Sequence, residues 1–175
     1  HESDVTINVK DNKMTVHKKR AEPWIVTLVD TGDNSMTGGR LKRVLPYLKD
    51  EEAFCFTYGD GVSDVNITEL IQFHKTHGKQ ATLTATYPPG RFGALNIKDN
   101  QVTHFEEKPR GDGSWINGGY MVCQPEVIDY IEDDNTIFEQ TPMNNLARDK
   151  ELMAFKHTGF WKPMDTLKDS IELDK

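Results

Sequence analysis

The chain has 175 residues, a mass of 20.0 kDa and a formal net charge of −7 at pH 7. This length predicts a single domain, residues 1–175, with one buried core. The acidic balance argues against nucleic acid or an anionic membrane as partner, because both are bound by dense Lys and Arg surfaces. No stretch approaches the roughly 20 apolar residues that a membrane span requires.

The cysteines and the first residues bear on the cellular compartment and on the extent of the chain. Cys55 and Cys123 both lie in apolar runs, without the paired spacing of zinc or redox sites. We therefore expect two buried, reduced thiols in a cytoplasmic protein. The chain begins His1-Glu2-Ser3-Asp4, which is unlike a secretion signal, and has no initiator Met. We expect it to be a piece of a longer protein.

Strand and helix patterns alternate in the first half of the chain. Apolar runs predict strands at residues 5–9, 24–29, 53–57 and 81–87. Helical spacing predicts helices at residues 38–48 and 67–77. Pro46 should end the first helix early, and Asn66 or Thr68 should cap the second, which stops at Gly78. This order predicts parallel strands joined by right-handed crossovers.

The second half of the chain predicts a different arrangement. Its segments are a hairpin at residues 93–97 and 102–107, a strand at 116–123, a helix at 141–149, a strand at 151–157 and a closing helix from 166. Thr141 should cap the third helix, with Pro142 at its first position. The fold class is therefore α/β, with the parallel pattern interrupted by a hairpin.

Asp60 leaves a buried strand between two glycines, in the sequence Tyr58-Gly59-Asp60-Gly61. Ligands of open α/β sheets bind beyond the carboxyl ends of the strands, where such a carboxylate can hold a cation beside a phosphate. A calcium loop beginning at Asp60 is excluded, because its third and twelfth positions would be Val62 and Ile71. A simple turn-capping role for Asp60 remains open.

Asp165 lies between an aromatic stretch and the closing helix, in Trp161-Lys162-Pro163-Met164-Asp165. It fits an N-cap of that helix, which would be a purely structural role. If Asp60 and Asp165 converge from separate strand ends, they form half of an octahedral Mg²⁺ site, with water and phosphate oxygens completing the shell.

Residues 31–40 form a polar, glycine-rich loop that enters a helix carrying Arg40 in its first turns. Backbone N–H groups there can meet an anion or the edge of a base. The loop lacks the Gly-Lys-Ser/Thr ending of a P-loop and is not a dinucleotide fingerprint. A flexible surface loop remains the alternative.

Three further groups admit both a functional and a structural interpretation. Glu107 and Lys108 suit a sugar phosphate, although exposed Glu-Lys pairs are commonly surface. Asn117-Gly118-Gly119 can approach a ligand closely or form a β-bulge. His74 and His77 lack a third zinc ligand, and we expect them on a helix surface.

Taken together, several motifs resemble the sugar-1-phosphate nucleotidyltransferase family, and within it the glucose-1-phosphate cytidylyltransferase branch. The wider family is indicated by Gly59-Asp60 and Glu107-Lys108-Pro109. The cytidylyltransferase branch is indicated by Met36-Thr37-Gly38-Gly39-Arg40 and Trp161-Lys162-Pro163-Met164-Asp165-Thr166. The resemblance spans nearly the whole chain and implies a Rossmann-like mixed sheet of the nucleotidyltransferase type, a cytoplasmic location and a homo-oligomer.

The resemblance also implies an activity and a set of site residues. The branch makes CDP-glucose and pyrophosphate from CTP and glucose 1-phosphate, and we expect an in-line displacement assisted by Mg²⁺. The implied metal ligands are Asp60 and Asp165, and Lys108 is implied to act with them in catalysis. The implied nucleotide contacts are Ser35, Thr37, Gly38, Arg40 and Gly59, and the implied sugar-side contacts are Gly93, Glu107, Asn117 and Gly118.

One departure from the family is large. Its Leu-Ala-Gly-Gly-x-Gly-Thr-Arg-Leu loop and its Lys-Pro-Lys-Pro-Met segment have no counterpart in residues 1–175. We therefore expect the fold to be N-terminally truncated in this chain. Two alternatives to cytidylyl transfer remain: a non-catalytic module that binds the sugar phosphate or nucleotide, and a thymidylyl- or uridylyltransferase of the same fold.

Overall fold

The computed structural model describes residues 4–17, 23–88, 94–98, 101–106 and 115–174. The chain forms two compact units, His1–Asp30 and Thr31–Lys175. In the first unit, strands β1 (Val5–Asn8) and β2 (Lys13–Val16) pair antiparallel as a hairpin. The expectation of a single domain over the whole length stays a prediction.

The strand predicted at residues 24–29 is absent. Residues 24–30 have no regular secondary structure, and Ile25 and Leu28 are 99% and 92% exposed. An apolar run becomes a strand only when a neighbouring strand takes up its N–H and C=O groups. No strand in the described part of the chain pairs with this segment, so its composition alone does not make it one.

The second unit carries the strands and helices that the sequence predicts there. Its strands are β3 (Phe54–Thr57), β4 (Gly61–Ser63), β5 (Ala81–Thr86), β6 (Ala94–Lys98), β7 (Gln101–Glu106), β8 (Ile116–Cys123), β9 (Leu152–Lys156) and β10 (Trp161–Pro163). Its helices are α1 (Thr37–Val44), α2 (Ile67–His77), α3 (Thr141–Arg148) and α4 (Leu167–Leu173), with 3₁₀ turns at Leu45–Tyr47 and Pro125–Tyr130. The predicted hairpin is confirmed by the antiparallel pairing of β6 with β7.

The predicted helix boundaries are confirmed except at α3. Pro46 lies in the 3₁₀ turn that follows α1, and the Asn66 side chain caps α2 by accepting the N–H of Glu69. Gly78 ends α2 with a φ of 63°, a conformation that glycine adopts without strain. Thr141 is the first residue of α3 and does not cap it.

The main sheet has the order β3-β8-β5-β9. β8 pairs antiparallel with both β3 and β5, and β9 pairs parallel with β5. The expectation that the strands at 53–57 and 81–87 are parallel neighbours is therefore wrong, although they run in the same direction. The apolar strand β8 lies between them, because it is long enough to pair on both sides and Val122 and Cys123 are buried in it. The α/β class with a mixed sheet is confirmed.

One face of the sheet holds the core. Phe54, Met121 and Cys123 from the sheet pack there with Leu41 of α1 and Leu146 of α3. Cys123 is fully buried, as expected, but Cys55 is exposed. Side chains alternate along a strand, so Cys55 faces away from Phe54 and from the core. Because β3 is the outer strand of this sheet, that opposite face is not covered at Cys55.

Helix α2 packs on the other face of the sheet, where two of its histidines form hydrogen bonds with Thr82 of β5. The His77 Nδ1 accepts the N–H of Lys79 at 3.0 Å, so its Nε2 carries the proton and donates to Thr82 Oγ1 at 2.8 Å. Thr82 Oγ1 also forms a hydrogen bond with His74 Nδ1 at 2.9 Å. His74 is 3% exposed, so its expected surface position is wrong. Within the described residues no group of three or more His, Cys, Asp or Glu side chains is arranged to hold a metal ion.

Candidate active site

Two of the described candidate residues, Asp60 and Asn117, lie at one edge of the sheet. Strands β3, β5 and β9 run in the same direction, so their carboxyl ends meet there, together with the beginning of the antiparallel strand β8. We call this the site edge. Asp60 follows β3, Asn117 lies at the beginning of β8, and the sequence prediction of chemistry beyond the strand ends points to the same place.

Asp60 and Asp165 are brought together by backbone pairing. β4 and β10 form an antiparallel ribbon in which Gly61 lies opposite Pro163. One step further along, the N–H of Met164 donates to the carbonyl oxygen of Asp60 at 2.7 Å. The two aspartates therefore flank the same end of this ribbon. Both are exposed, and neither carboxylate has a hydrogen-bond partner within the described residues.

The structural alternative for Asp165, a helix cap, is contradicted by the geometry. The N-cap of α4 is Thr166, whose hydroxyl accepts the N–H of Asp169 at 3.2 Å. The Asp169 carboxylate in turn accepts the N–H of Thr166 at 3.0 Å, which completes a capping box. The interpretation of Asp165 as the cap is thus wrong. Asp60 does lie in a turn, which follows β3, so its turn role stays open, although no hydrogen bond to its carboxylate is seen within the described residues.

Two aromatic side chains attach the ribbon to the sheet. The Tyr120 hydroxyl donates to the carbonyl oxygen of Gly61 at 2.7 Å, and the Trp161 indole N–H donates to that of Gly118 at 2.8 Å. On the other side, the Lys162 ammonium forms an ion pair with Glu172 of α4. The ribbon is therefore held to β8 and to α4 by these side-chain contacts.

Asn117-Gly118-Gly119 forms the β-bulge that the sequence left as one of two alternatives. The register between β5 and β8 shifts between Leu83 and Ala85, where β8 carries extra residues. The Asn117 side-chain oxygen accepts the N–H of Gly119 at 2.9 Å, and Gly119 has a φ of +80°. A Cβ on Gly119 would lie 2.8 Å from Cδ2 of Tyr58. The bulge thus brings β8 against the residue two before Asp60.

The polar loop at residues 31–40 is held in shape by Arg40. Its guanidinium donates to Thr31 Oγ1 at 2.7 Å and to the carbonyl oxygen of Asp33 at 3.2 Å. Ser35, which belongs to this loop, is 8% exposed. Arg40 itself is exposed, so its charge remains accessible to an anion. The nucleotide contacts expected of Ser35, Arg40 and Gly59 stay predictions.

The paired glycines of α1 have a packing role. A Cβ on Gly38 would lie 2.7 Å from the carbonyl oxygen of Thr136, and one on Gly39 would lie 2.4 Å from that of Asp134. The Gly38 N–H donates to the Thr136 carbonyl oxygen at 2.9 Å. The N–H of Gly38 is therefore already bonded within the protein, and the close approach of two backbones explains the Gly-Gly pair.

Sequence reasoning missed Glu139, which joins two of the predicted segments. The Thr37 hydroxyl donates to its Oε2 at 2.6 Å, and the Tyr58 hydroxyl donates to its Oε1. Burial and the Glu139 carboxylate raise the pKa of Tyr58 well above its ordinary value, so the hydroxyl keeps its proton as a donor. Glu139 belongs to no motif, and only the long-range contacts of α1 and β3 reveal it.

Three candidate residues, Gly93, Glu107 and Lys108, lie outside the described residues. Their expected sugar-side and catalytic roles stay predictions.

No helix in the described part of the chain is long and apolar enough to cross a membrane.

The mixed sheet, with helices packed on it and two aspartates at the end of the β4 and β10 ribbon, defines an α/β protein. The chain belongs to the nucleotidyl transferase family, whose sequence profile matches residues 13–174. This assigns the family that the motifs indicated.

Known relatives are similar to this chain in sequence, and a solved structure is similar to it in fold. The chain is 64% identical to glucose-1-phosphate cytidylyltransferase of Salmonella typhimurium over 99% of its own length and 68% of the relative's. It is 35% identical to mannose-1-phosphate guanyltransferase of Saccharomyces cerevisiae, over 77% of this chain and 39% of that protein. HddC from Yersinia pseudotuberculosis shares the fold, with a TM-score of 0.56 and 20% identity over 80% of this chain and 61% of that one.

Proposed function

We propose that the protein is a glucose-1-phosphate cytidylyltransferase, which joins CTP and glucose 1-phosphate into CDP-glucose and releases pyrophosphate. The observation that carries the proposal is the convergence of Asp60 and Asp165 through the β4 and β10 ribbon. The 64% identity to the Salmonella enzyme supports the choice of substrates. As the family resemblance implies, we also propose a cytoplasmic homo-oligomer.

The donor set at the end of the ribbon fits Mg²⁺. Asp60 and Asp165 offer two exposed carboxylates without protein partners in the described structure, and hard oxygen ligands are those that Mg²⁺ prefers. Two carboxylates also leave room for water and phosphate oxygens, as is usual for this ion. When bound, Mg²⁺ supplies positive charge that offsets the charge of the phosphates.

The remaining chemistry requires positioning more than covalent participation. A phosphate oxygen of glucose 1-phosphate attacks the α-phosphorus of CTP in line with the departing pyrophosphate. That oxygen is already ionised at neutral pH, so no protein group has to remove a proton. Arg40, beside the polar loop, offers a cation to the triphosphate, and Lys108 is proposed to hold the sugar phosphate. The protein contributes orientation and fixed charge.

Pyrophosphate release tests the proposal directly. The purified protein is assayed with glucose 1-phosphate, Mg²⁺ and each of CTP, dTTP, UTP and GTP. We expect CTP to be the preferred nucleotide. A preference for dTTP or UTP would replace the proposal by the corresponding transferase. Binding of CTP or glucose 1-phosphate without turnover of any nucleotide would favour the non-catalytic module.

Asp60→Ala tests the carboxylate assignment. We expect turnover to fall by about a hundredfold or more, as when a preorganised charge stabiliser is lost. Asp50→Ala removes an exposed aspartate outside the site edge and serves as the matched control. Undiminished Mg²⁺-dependent turnover in Asp60→Ala would exclude this aspartate from the active site. A Lys108→Ala variant that changes only the KM for CTP would contradict its sugar-side role.

A further inference from the structure

Glu139 contacts two segments that the proposed reaction needs in fixed relation. Thr37 is the first residue of α1, at the point where the polar loop enters this helix, and Tyr58 lies two residues before Asp60. Both donate a hydroxyl hydrogen bond to the same carboxylate, Thr37 to Oε2 and Tyr58 to Oε1. The side chain thus spans the gap between the nucleotide loop and the catalytic turn.

Thr37 and Tyr58 each make further contacts besides the hydrogen bond to Glu139. The N–H of Phe138 donates to Thr37 Oγ1 at 2.9 Å, which gives the Thr37 hydroxyl both an acceptor and a donor. The Tyr58 ring packs edge-on against Phe56, with centroids 5.6 Å apart, and lies against the bulge at Gly119. Each hydroxyl that bonds Glu139 therefore belongs to a side chain with a second contact in the fold.

The charge of Glu139 also needs an explanation. A half-buried carboxylate near a site for polyanionic substrates repels them, so it is poorly suited to contact them directly. Here two hydroxyl donors engage it, and hydrogen bonds to a charged acceptor are stronger than those between neutral groups. A carboxylate in this place is therefore suited to rigid attachment rather than to binding a phosphate.

We propose that Glu139 is a positioning residue that couples the nucleotide-binding loop before α1 to the Asp60 turn. Through this bridge, displacement at one end is transmitted to the other. The inference rests on the proposed function for its meaning in catalysis. The coupling itself is a property of the folded chain and is measurable without substrate.

Amide hydrogen exchange on the purified protein tests the coupling. Tyr58→Phe removes the hydroxyl at one end, and the readout is the N–H of Gly38, which bonds to Thr136 at the other end. Thr37→Val removes the opposite hydroxyl, and the readout is the N–H of Met164, which bonds to Asp60. We expect each distant amide to exchange at least about threefold faster, because the local opening it reports becomes easier.

Two controls separate coupling from general loosening. Thr37→Ser keeps the hydroxyl and should restore slow exchange at Met164, and Glu126→Gln removes an exposed acid elsewhere. Glu139→Gln should accelerate exchange at both Gly38 and Met164. Changes confined to the mutated end would overturn the coupling, and so would equal acceleration throughout the sheet.

Kinetics then test whether the coupling matters for the reaction. With wild-type turnover established, Glu139→Gln should lower kcat/KM for CTP about tenfold and leave the KM for glucose 1-phosphate within about twofold. The combined Thr37→Val and Tyr58→Phe variant should lose less activity than the product of the single losses. Strictly multiplicative losses would overturn the bridge in catalysis. Absence of wild-type turnover would instead contradict the proposed function, and the exchange results would still decide the coupling.

Discussion

Replacing Gly119 by alanine tests the contact between the bulge and the Asp60 turn. Two costs follow from the geometry. A side chain at a φ of +80° costs about 1–2 kcal/mol, because the left-handed region crowds Cβ against the backbone. The added Cβ would also lie 2.8 Å from Cδ2 of Tyr58, and displacing a packed ring costs about 1–3 kcal/mol. We expect the free energy of unfolding to fall by about 2–5 kcal/mol.

Gly78→Ala is the matched control for the first of these costs. Gly78 has a φ of +63°, and a Cβ there would meet nothing within 4 Å. Its replacement should therefore cost only the conformational part, about 1–2 kcal/mol. The difference between the two variants isolates the contact with Tyr58.

Urea denaturation followed by circular dichroism measures both free energies, with Tm as a second readout. For a chain of this size, 1 kcal/mol corresponds to about 2–4 °C in Tm. Gly119→Ala should also reduce turnover, since Tyr58 is two residues before Asp60, whereas Gly78→Ala should not. Equal destabilisation by the two substitutions would refute the close packing of the bulge on Tyr58.

Three further predictions concern exposure and charge. Gly59→Ala should change the free energy of unfolding by less than about 1 kcal/mol, because a Cβ there meets nothing within 4 Å, yet it should raise the KM for CTP if the nucleotide approaches this backbone. Burial lowers the pKa of both His74 and His77, so the unfolded chain binds more protons below about pH 6.5, where free histidine titrates. Urea denaturation should show stability falling from pH 7.5 to pH 5.5, and His74→Gln should flatten that slope; an unchanged slope in the variant would contradict the assignment. A thiol reagent should label Cys55 in the native protein, whereas Cys123, buried and with a pKa raised to about 12, should react only after unfolding.

Local sequence signals predicted the elements whose cause is local. Asn66 and Gly78 delimit α2 through a cap and a left-handed residue, and both effects are encoded within a few positions. The apolar run at 24–29 has the composition of a strand, but strand formation depends on a partner that composition does not specify. The strand order could not be predicted for the same reason, because nothing in the sequence of β8 specifies that it lies between β3 and β5.

The candidate site divides in the same way. Asp60 was a candidate because it leaves a buried strand between glycines, and Asp165 because it lies between an aromatic stretch and a helix; their roles stay predictions, and the ribbon places them at the same end. The packing role of Gly38 could not be predicted, since it depends on backbone atoms of Thr136 nearly a hundred positions away. The contacts of Glu139 could not be predicted for a similar reason, because its two hydrogen-bond donors come from distant segments and its own neighbours form no motif.

The ribbon of β4 and β10 has a consequence for how the protein acquires its chemistry during folding. Its two aspartates are about a hundred positions apart, so closing the loop between them is among the entropically expensive steps of folding. The sheet strands β5, β8 and β9 all lie between them in sequence. A partly folded chain therefore presents two separate carboxylates rather than a paired site. The proposed metal site is therefore complete only after β10 has docked on β4.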